Sequence, residues 1–190
     1  MLYELALSTL GAVGGEVPSS FMSGFPAKSA LSVVELKPAV LPIVSSVPDV
    51  GKTAPATVAI VQAIKDVYKH QQWRQPYKVD DFGADFFHGT AWFPIADLEG
   101  PIVYSQGLME IMLLGANVTY PGHKHVPEEL YVILAGQVWW ESEEEEACWK
   151  YAGEVIHHPS NVVHSLRAGD EPVLILNLWR GGGFEMPVIN

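Results

Sequence analysis

The chain has 190 residues, of which 48% are hydrophobic and 17% charged, a composition typical of one ordered globular unit. Its formal net charge of −11 and the lack of any lysine- or arginine-rich run argue against binding to nucleic acid or to an anionic membrane. No segment reaches the roughly 18 uninterrupted apolar residues of a membrane-spanning helix, and the single cysteine, Cys148, cannot form an internal disulfide. We therefore expect a cytoplasmic protein.

The first half of the chain is predicted to be helical, with interruptions at glycine and proline. Residues 2–11 are apolar, but they contain Glu4 and lack basic residues, which favours a helix of the mature protein over a signal peptide. Another helix is expected after Thr53, where apolar residues recur every three or four positions at Val58, Val61, Ile64, Val67 and Tyr68. We expect residues 1–85 to form a helical extension packed on the remainder.

From about Gly89 the pattern changes to short β-branched and aromatic runs separated by turn residues. Strands are predicted at Thr90 to Phe93, Pro101 to Tyr104, Gly107 to Leu114, Tyr131 to Trp140, around Cys148, Val155 to His157 and Pro172 to Trp179. Their spacing predicts an antiparallel barrel or sandwich over residues 86–190. The acidic run Glu141 to Glu146 is interpreted as a solvated hairpin tip.

A group of histidines and one glutamate in this half has the spacing of metal ligands. In the segment NVTYPGHKHVPEELYVILAG, His123 and His125 are two residues apart and so project from one face of a strand. An isolated pair of this kind is more often exposed or hydrogen-bonded. Glu129 and, from the segment GEVIHHPSNVVH, His164 can complete a nitrogen and oxygen site for iron, zinc, manganese, cobalt or nickel.

These two segments resemble the two conserved motifs of the cupin superfamily. The matching positions are His123, His125, Glu129 and Gly136 in the first motif and Gly153, Pro159 and His164 in the second. The chain departs from the motifs at Asn117, Asn161 and Ala168, which affects turn positions more than the metal site. The resemblance implies a mainly β protein: a single cupin β-barrel, a double-stranded β-helix of jelly-roll type, with an N-terminal helical extension.

Two tyrosines are candidates for chemistry beside the metal. Tyr131 lies two residues after Glu129 and hence on the same strand face, where a cation would lower a phenol pKa that is ordinarily about 10. Tyr131 could serve as a base or an additional ligand, and Tyr120 could line the same mouth. Each could instead be a structural aromatic residue with a bonded hydroxyl. The remaining histidines are assigned surface or hydrogen-bonded structural roles: His70, His88, His157 and His158.

The run HKHVPEELY, with Tyr120 before it, Trp179 after it and a helical N-terminal extension, resembles the cupin-type dimethylsulfoniopropionate lyases. The resemblance implies a metal-dependent carbon–sulfur lyase that yields dimethyl sulfide and acrylate, with no organic cofactor. It implies one divalent ion, iron, zinc or manganese, held by His125, Glu129 and His164. Tyr131 can join this set, and His123 fills the cupin ligand position beside it.

The chemistry of such a lyase gives these residues roles in a β-elimination. With the substrate carboxylate on the metal, a tyrosinate, Tyr131 or Tyr120, would remove the α-proton. The sulfonium cation suits aromatic faces, for which Trp179 and then Tyr120 are the candidates, with His123 also lining the substrate site. Core packing is the favoured interpretation for Trp139, Trp140 and Trp149.

Other functions remain open on the same residues. A metal-dependent dioxygenase or sugar isomerase could use the same ligands, and so could a non-catalytic cupin that binds a small molecule. In the lyase case the partner is a small zwitterion, and the protein is a monomer or a homodimer.

Overall fold

The computed structural model describes residues 2–27 and 30–189. The helices are α1 (Leu2–Val13), α2 (Glu16–Ser23), α3 (Val58–Val67), α4 (Val79–Phe82) and α5 (Ala84–Gly89), with 3-10 helices at Pro42–Asp49 and Tyr68–His70. In the described part of the chain, none of the helices is both long and apolar enough to cross a membrane. The helices precede the first strand, while the division between residues 85 and 86 stays a prediction.

Within residues 30–189, the chain forms eleven strands in two sheets. They are β1 (Thr90–Asp97), β2 (Ile102–Val103), β3 (Gly107–Leu114), β4 (Thr119–Lys124), β5 (Glu128–Ala135), β6 (Gln137–Ser142), β7 (Cys148–Tyr151), β8 (Val155–His158), β9 (His164–Ala168), β10 (Val173–Arg180) and β11 (Val188–Ile189). The larger sheet has the order β2-β1-β3-β10-β5-β8 and the smaller one the order β11-β4-β9-β6-β7. This two-sheet, jelly-roll arrangement confirms the predicted mainly β fold of cupin type.

Residues Tyr131 to Trp140, predicted to form one strand, form parts of two strands instead. Gly136 has a φ of 85°, a conformation that side chains other than glycine rarely adopt, and the chain turns there. As a result β5 belongs to the larger sheet and β6 to the smaller one. β6 then pairs with β7 in a hairpin whose exposed tip holds the acidic residues 143–146.

Both faces of the larger sheet are buried, which explains its nearly continuous apolar strands. On β5, Leu130, Val132 and Leu134 pack with residues of the helices, among them Leu10 and Ile60. The alternate residues of β5 face the space between the two sheets. There Tyr131 and Ile133 belong to a second group of packed apolar side chains, which includes Trp92, Tyr120 and Trp140. Every second residue of a strand in this sheet therefore points into the barrel interior.

Candidate metal centre and substrate pocket

The four predicted ligands meet in the space between the sheets. His123 lies on β4, His125 directly follows it, Glu129 lies on β5 and His164 begins β9, and each is at most 5% exposed. The three histidines offer ring nitrogen atoms within 4.8 Å of one another. Glu129 Oε2 lies 3.2 Å from Nε2 of His125 and 3.2 Å from Nε2 of His164. This buried cluster has the donor atoms of a metal site.

Strand register explains why residues so far apart in sequence converge. β4 pairs with β9 so that His123 stands opposite His164, after a register shift that follows Tyr120. Glu129 comes from β5 of the other sheet, and it is one of the alternate residues of that strand that point into the space between the sheets. The cluster therefore forms only where the two sheets face each other.

Hydrogen bonds orient all three histidines in the same way. In each, Nδ1 lies within hydrogen-bond distance of the backbone carbonyl two residues away: 2.8 Å for His123 to Pro121, 2.9 Å for His125 to Pro127 and 2.9 Å for His164 to Val162. Because a carbonyl oxygen only accepts, each Nδ1 carries a hydrogen and each Nε2 is on the side of the ring away from that bond, where a metal ion could be held. In this structure His125 Nε2 is hydrogen-bonded to Glu129 Oε2 over 3.2 Å. Although His164 Nε2 lies close to Glu129, it is buried without a hydrogen bond of acceptable geometry. The residues present fit a metal ion.

The charges within the cluster are strongly coupled. Burial opposes ionisation of Glu129, but its contacts with His125, His158 and His164 hold its pKa well below the usual range. Burial and the neighbouring His164 lower the pKa of His123 well below its usual value. Glu129 is therefore an anionic carboxylate facing a neutral His123, as metal coordination requires.

His158, interpreted from the sequence as a surface or structural histidine, is part of this cluster. Trp140 Nε1 donates to His158 Nε2 over 2.9 Å, so the proton of the neutral ring resides on Nδ1, which donates to Glu129 Oε2 over 2.8 Å. Burial lowers the pKa of His158 to about 4. Both ring nitrogens are thus engaged, and His158 orients Glu129. Sequence spacing does not reveal this role, because it depends on the pairing that sets His158 opposite Glu129.

Trp179 contacts both the cluster and the neighbouring pocket. Its Nε1 donates to Glu129 Oε1 over 2.6 Å, and its ring lies tilted over His125 with centroids 4.5 Å apart. Both carboxylate oxygen atoms of Glu129 therefore accept a hydrogen bond, Oε1 from Trp179 and Oε2 from His158. This second contact was not predicted, since Trp179 was selected only as a pocket wall.

We expect His158→Phe to lower metal affinity by about 10- to 100-fold, the usual cost of losing a group that orients a ligand. The variant also leaves the Trp140 N–H unpaired, which should lower the free energy of unfolding by about 1–3 kcal/mol. A competitive metal titration and chemical denaturation measure the two effects. His157→Phe is the matched control, because the adjacent His157 lies on the opposite face of β8 near Phe21. Equal metal affinity in the two variants would contradict the orienting role.

A cavity of about 120 Å³ adjoins the cluster. Its wall contains Glu129 and the aromatic side chains of Tyr77, Trp92, Tyr120, Tyr131 and Trp179. The C-terminal residues 184–187 line it as well, and so do Glu110 and Asn177. The cavity therefore combines the Glu129 carboxylate with the faces of several aromatic rings, a lining that suits a small charged ligand.

Both predicted tyrosines are buried in this region. The Tyr131 ring meets the His158 and His164 rings edge-on, with centroids 5.0 and 6.5 Å apart. Tyr120 stacks on His123 at 3.9 Å, and its hydroxyl shares a hydrogen bond with the hydroxyl of Tyr77, a residue that sequence reasoning did not select. Burial raises the pKa of both Tyr120 and Tyr131 well above the usual value. A phenolate on either residue needs a nearby positive charge.

Comparison with known proteins identifies the family. Residues 28–175 match the family model for dimethylsulfoniopropionate lyase. The chain belongs to the dimethylsulfoniopropionate lyase family. The dimethylsulfoniopropionate lyase DddQ of Ruegeria pomeroyi is 33% identical over 156 residues, which cover 82% of this chain and 76% of that protein. The predicted resemblance to these lyases is thus confirmed.

Solved structures agree with this family. The crystal structure of DddQ from Ruegeria pomeroyi superimposes with a TM-score of 0.81 and 27% identity, covering 97% of this chain and 96% of that one. A chain from a study of the dimethylsulfoniopropionate lyases RdDddP and RnDddQII has a TM-score of 0.87 and 24% identity, covering 100% and 95%. The second match supports the fold alone, and it extends over the N-terminal helices as well as the barrel.

Proposed function

We propose that this protein cleaves dimethylsulfoniopropionate into dimethyl sulfide and acrylate by β-elimination. The observation that carries the proposal is the buried His125, Glu129 and His164 cluster beside two buried tyrosines, in a chain of the dimethylsulfoniopropionate lyase family. The substrate is a small zwitterion, and the cavity reaches Glu129 of the cluster and is lined by aromatic side chains, which supports binding of both ends of such a molecule.

We further propose that His125, Glu129 and His164 hold one divalent transition metal ion, iron, zinc or manganese, with His123 or Tyr131 completing the set. Imidazole and carboxylate ligands suit these ions. When bound, the ion supplies positive charge that stabilises both a phenolate and the negative charge developing on the substrate carboxylate. The reaction changes no oxidation state and needs no organic cofactor.

The walls of the cavity position the substrate. Its carboxylate lies at the histidine and glutamate cluster, and its sulfonium group lies against the faces of Trp179 and Tyr120, since a cation without hydrogen-bond donors is attracted to aromatic rings. His123, stacked on Tyr120, keeps that ring beside the cluster. The high burial of these residues excludes water and strengthens the electrostatic contacts.

The proton transfer is assigned to a tyrosine. Tyr131 or Tyr120, as the phenolate, accepts the α-proton of the substrate. The electrons of the broken C–H bond form the new double bond, and those of the C–S bond leave with sulfur as neutral dimethyl sulfide. The products are acrylate, dimethyl sulfide and a tyrosine hydroxyl that returns its proton to water.

The proposal is tested by measuring dimethyl sulfide in the headspace over purified protein supplied with iron, zinc or manganese. We expect release of dimethyl sulfide and acrylate in equal amounts without oxygen consumption, and loss of release after chelation of the metal. Oxygen consumption with another substrate and no dimethyl sulfide would instead identify a dioxygenase. Binding of dimethylsulfoniopropionate without turnover would identify a binding protein.

We also propose that the protein is cytoplasmic and that it is a monomer or a homodimer. Residues 1–85 are proposed as an extension of the barrel formed by residues 86–190, because residues of α1 and α3 bury the outer face of the larger sheet. Light scattering gives the oligomeric state directly.

A further inference from the structure

A polar pair lies inside the barrel at a place where the strands are otherwise apolar. Glu110 is the one acidic residue of the strand sequence GLMEIMLL, and strand pairing sets it opposite Asn177, which in turn stands opposite Tyr131. Three neighbouring strands thus present Glu110, Asn177 and Tyr131 in a row across the sheet. All three line the cavity beside the histidine and glutamate cluster.

The hydrogen-bonding groups of the Glu110 and Asn177 pair do not all have partners. Asn177 Nδ2 donates to Glu110 Oε1 over 2.9 Å, but Asn177 Oδ1 is buried without a partner in a residue that is only 3% exposed. Burial, reinforced by the Asp97 carboxylate, raises the pKa of Glu110 to about 8. Among the described residues no cation forms an ion pair with Glu110, and Arg74 pairs with Asp97 over 3.1 Å. The pair therefore presents oxygen atoms that lack a positive partner.

We propose that Glu110 and Asn177 supply the oxygen acceptors of the subsite for the cationic sulfonium end of the substrate, whose aromatic walls include Trp179 and Tyr120 of the same cavity. This inference rests on the proposed function and names residues that select the substrate's charge. Neighbouring strands lie about 4.8 Å apart, comparable with the length of a three-carbon chain. A substrate whose carboxylate lies at the cluster near Tyr131 thus extends along the row toward Asn177 and Glu110.

The chemistry of the sulfonium group fits these oxygens. It has no N–H or O–H to donate, but its methyl hydrogens carry partial positive charge and contact oxygen acceptors favourably. A bound cation favours the ionised form of Glu110, whose carboxylate then adds charge attraction in a cavity of low dielectric. The rings of Tyr77 and Trp92 line the same cavity. The opposite ends of the row thus match the opposite charges of the zwitterion, which also disfavours the reversed orientation.

The test compares two non-reactive ligands on the metal-loaded protein. One is β-alanine betaine, which ends in a trimethylammonium cation, and the other is the acid in which an uncharged tert-butyl group replaces it. Calorimetry gives the ratio of their dissociation constants. We expect the wild-type protein to bind the cation more tightly than the uncharged acid. Glu110→Gln can keep a hydrogen bond to Asn177, and in this variant the ratio of the two dissociation constants should fall by at least about tenfold, or about 1.4 kcal/mol.

Two further variants sharpen the result. Glu185→Gln removes a carboxylate from the exposed C-terminal segment of the same cavity, and its effect should be clearly smaller because water screens that charge. Asn177→Asp adds a carboxyl group to the row without changing its size and should raise the preference for the cation. This variant also decides the matter if Glu110→Gln does not fold.

An unchanged ratio in Glu110→Gln, an equal loss in Glu185→Gln or a fall in Asn177→Asp would each overturn the subsite. The ratio is measured without turnover, so it is independent of the headspace assay. If the preference for the cation depends on Glu110 but the protein releases no dimethyl sulfide, the proposed reaction is refuted and the proposed cation subsite is still supported.

Discussion

Replacing Glu129 with glutamine is expected to remove most of the bound metal and most of the lyase activity. Even the loss of a group that only orients a ligand costs about 10- to 100-fold in metal affinity, so loss of an anionic ligand should cost at least about 100-fold. Glu129 accepts hydrogen bonds from Trp179 at one oxygen and from His158 at the other. An amide cannot accept at both ends, because its nitrogen atom only donates.

The unpaired donor in Glu129→Gln has a second consequence. Either the Trp179 or the His158 N–H is left buried without an acceptor, which should lower the free energy of unfolding by about 1–3 kcal/mol. Elemental analysis gives the metal content and chemical denaturation gives the stability.

Glu128→Gln is the matched control for Glu129→Gln. The Glu128 side chain is 38% exposed and pairs with Arg180 over 2.7 Å. Loss of the Glu128 charge should leave the metal content unchanged, because the ion pair lies outside the cluster. It should also change the free energy of unfolding little, because the ion pair is partly exposed to water. Full metal retention in Glu129→Gln would refute the ligand assignment.

Tyr131→Phe is expected to remove most activity while leaving the metal content largely intact. A correctly placed general base contributes about 10²- to 10⁴-fold to the rate, so kcat should fall by at least about 100-fold. The ring that packs against His158 remains, and folding should be little affected. Headspace kinetics and elemental analysis on the same preparation separate catalysis from metal binding.

Tyr120→Phe is the comparison that decides which tyrosine is the base. Both phenols are buried beside the cluster, but the Tyr120 hydroxyl is bonded to Tyr77, whereas the Tyr131 ring contacts the histidines that hold Glu129. We expect Tyr120→Phe to have the smaller effect on kcat. Near-normal turnover in Tyr131→Phe would transfer the base role to Tyr120.

Much of the candidate site could be predicted from spacing along the chain. The separation of two residues predicts that His123 and His125 point to the same side of the chain, and the structure brings both to the cluster although His125 lies one residue beyond β4. The second motif supplies His164 at a distance typical of cupins. The strand at Gly107–Leu114 was predicted with its observed bounds, since apolar content and flanking turn residues are local properties. The division at Gly136 was missed, because an apolar run on both sides of one glycine does not reveal which sheet each half joins.

The sequence by itself determined the fold class, the family resemblance and the four residues that meet at the cluster. Only the tertiary structure decided which other residues surround them. His158 orients Glu129 and Glu110 joins Asn177 because strands distant in sequence pair in one particular register. Local spacing fixes the face of a strand on which a side chain lies, whereas the partner across the sheet depends on a register that no local pattern encodes.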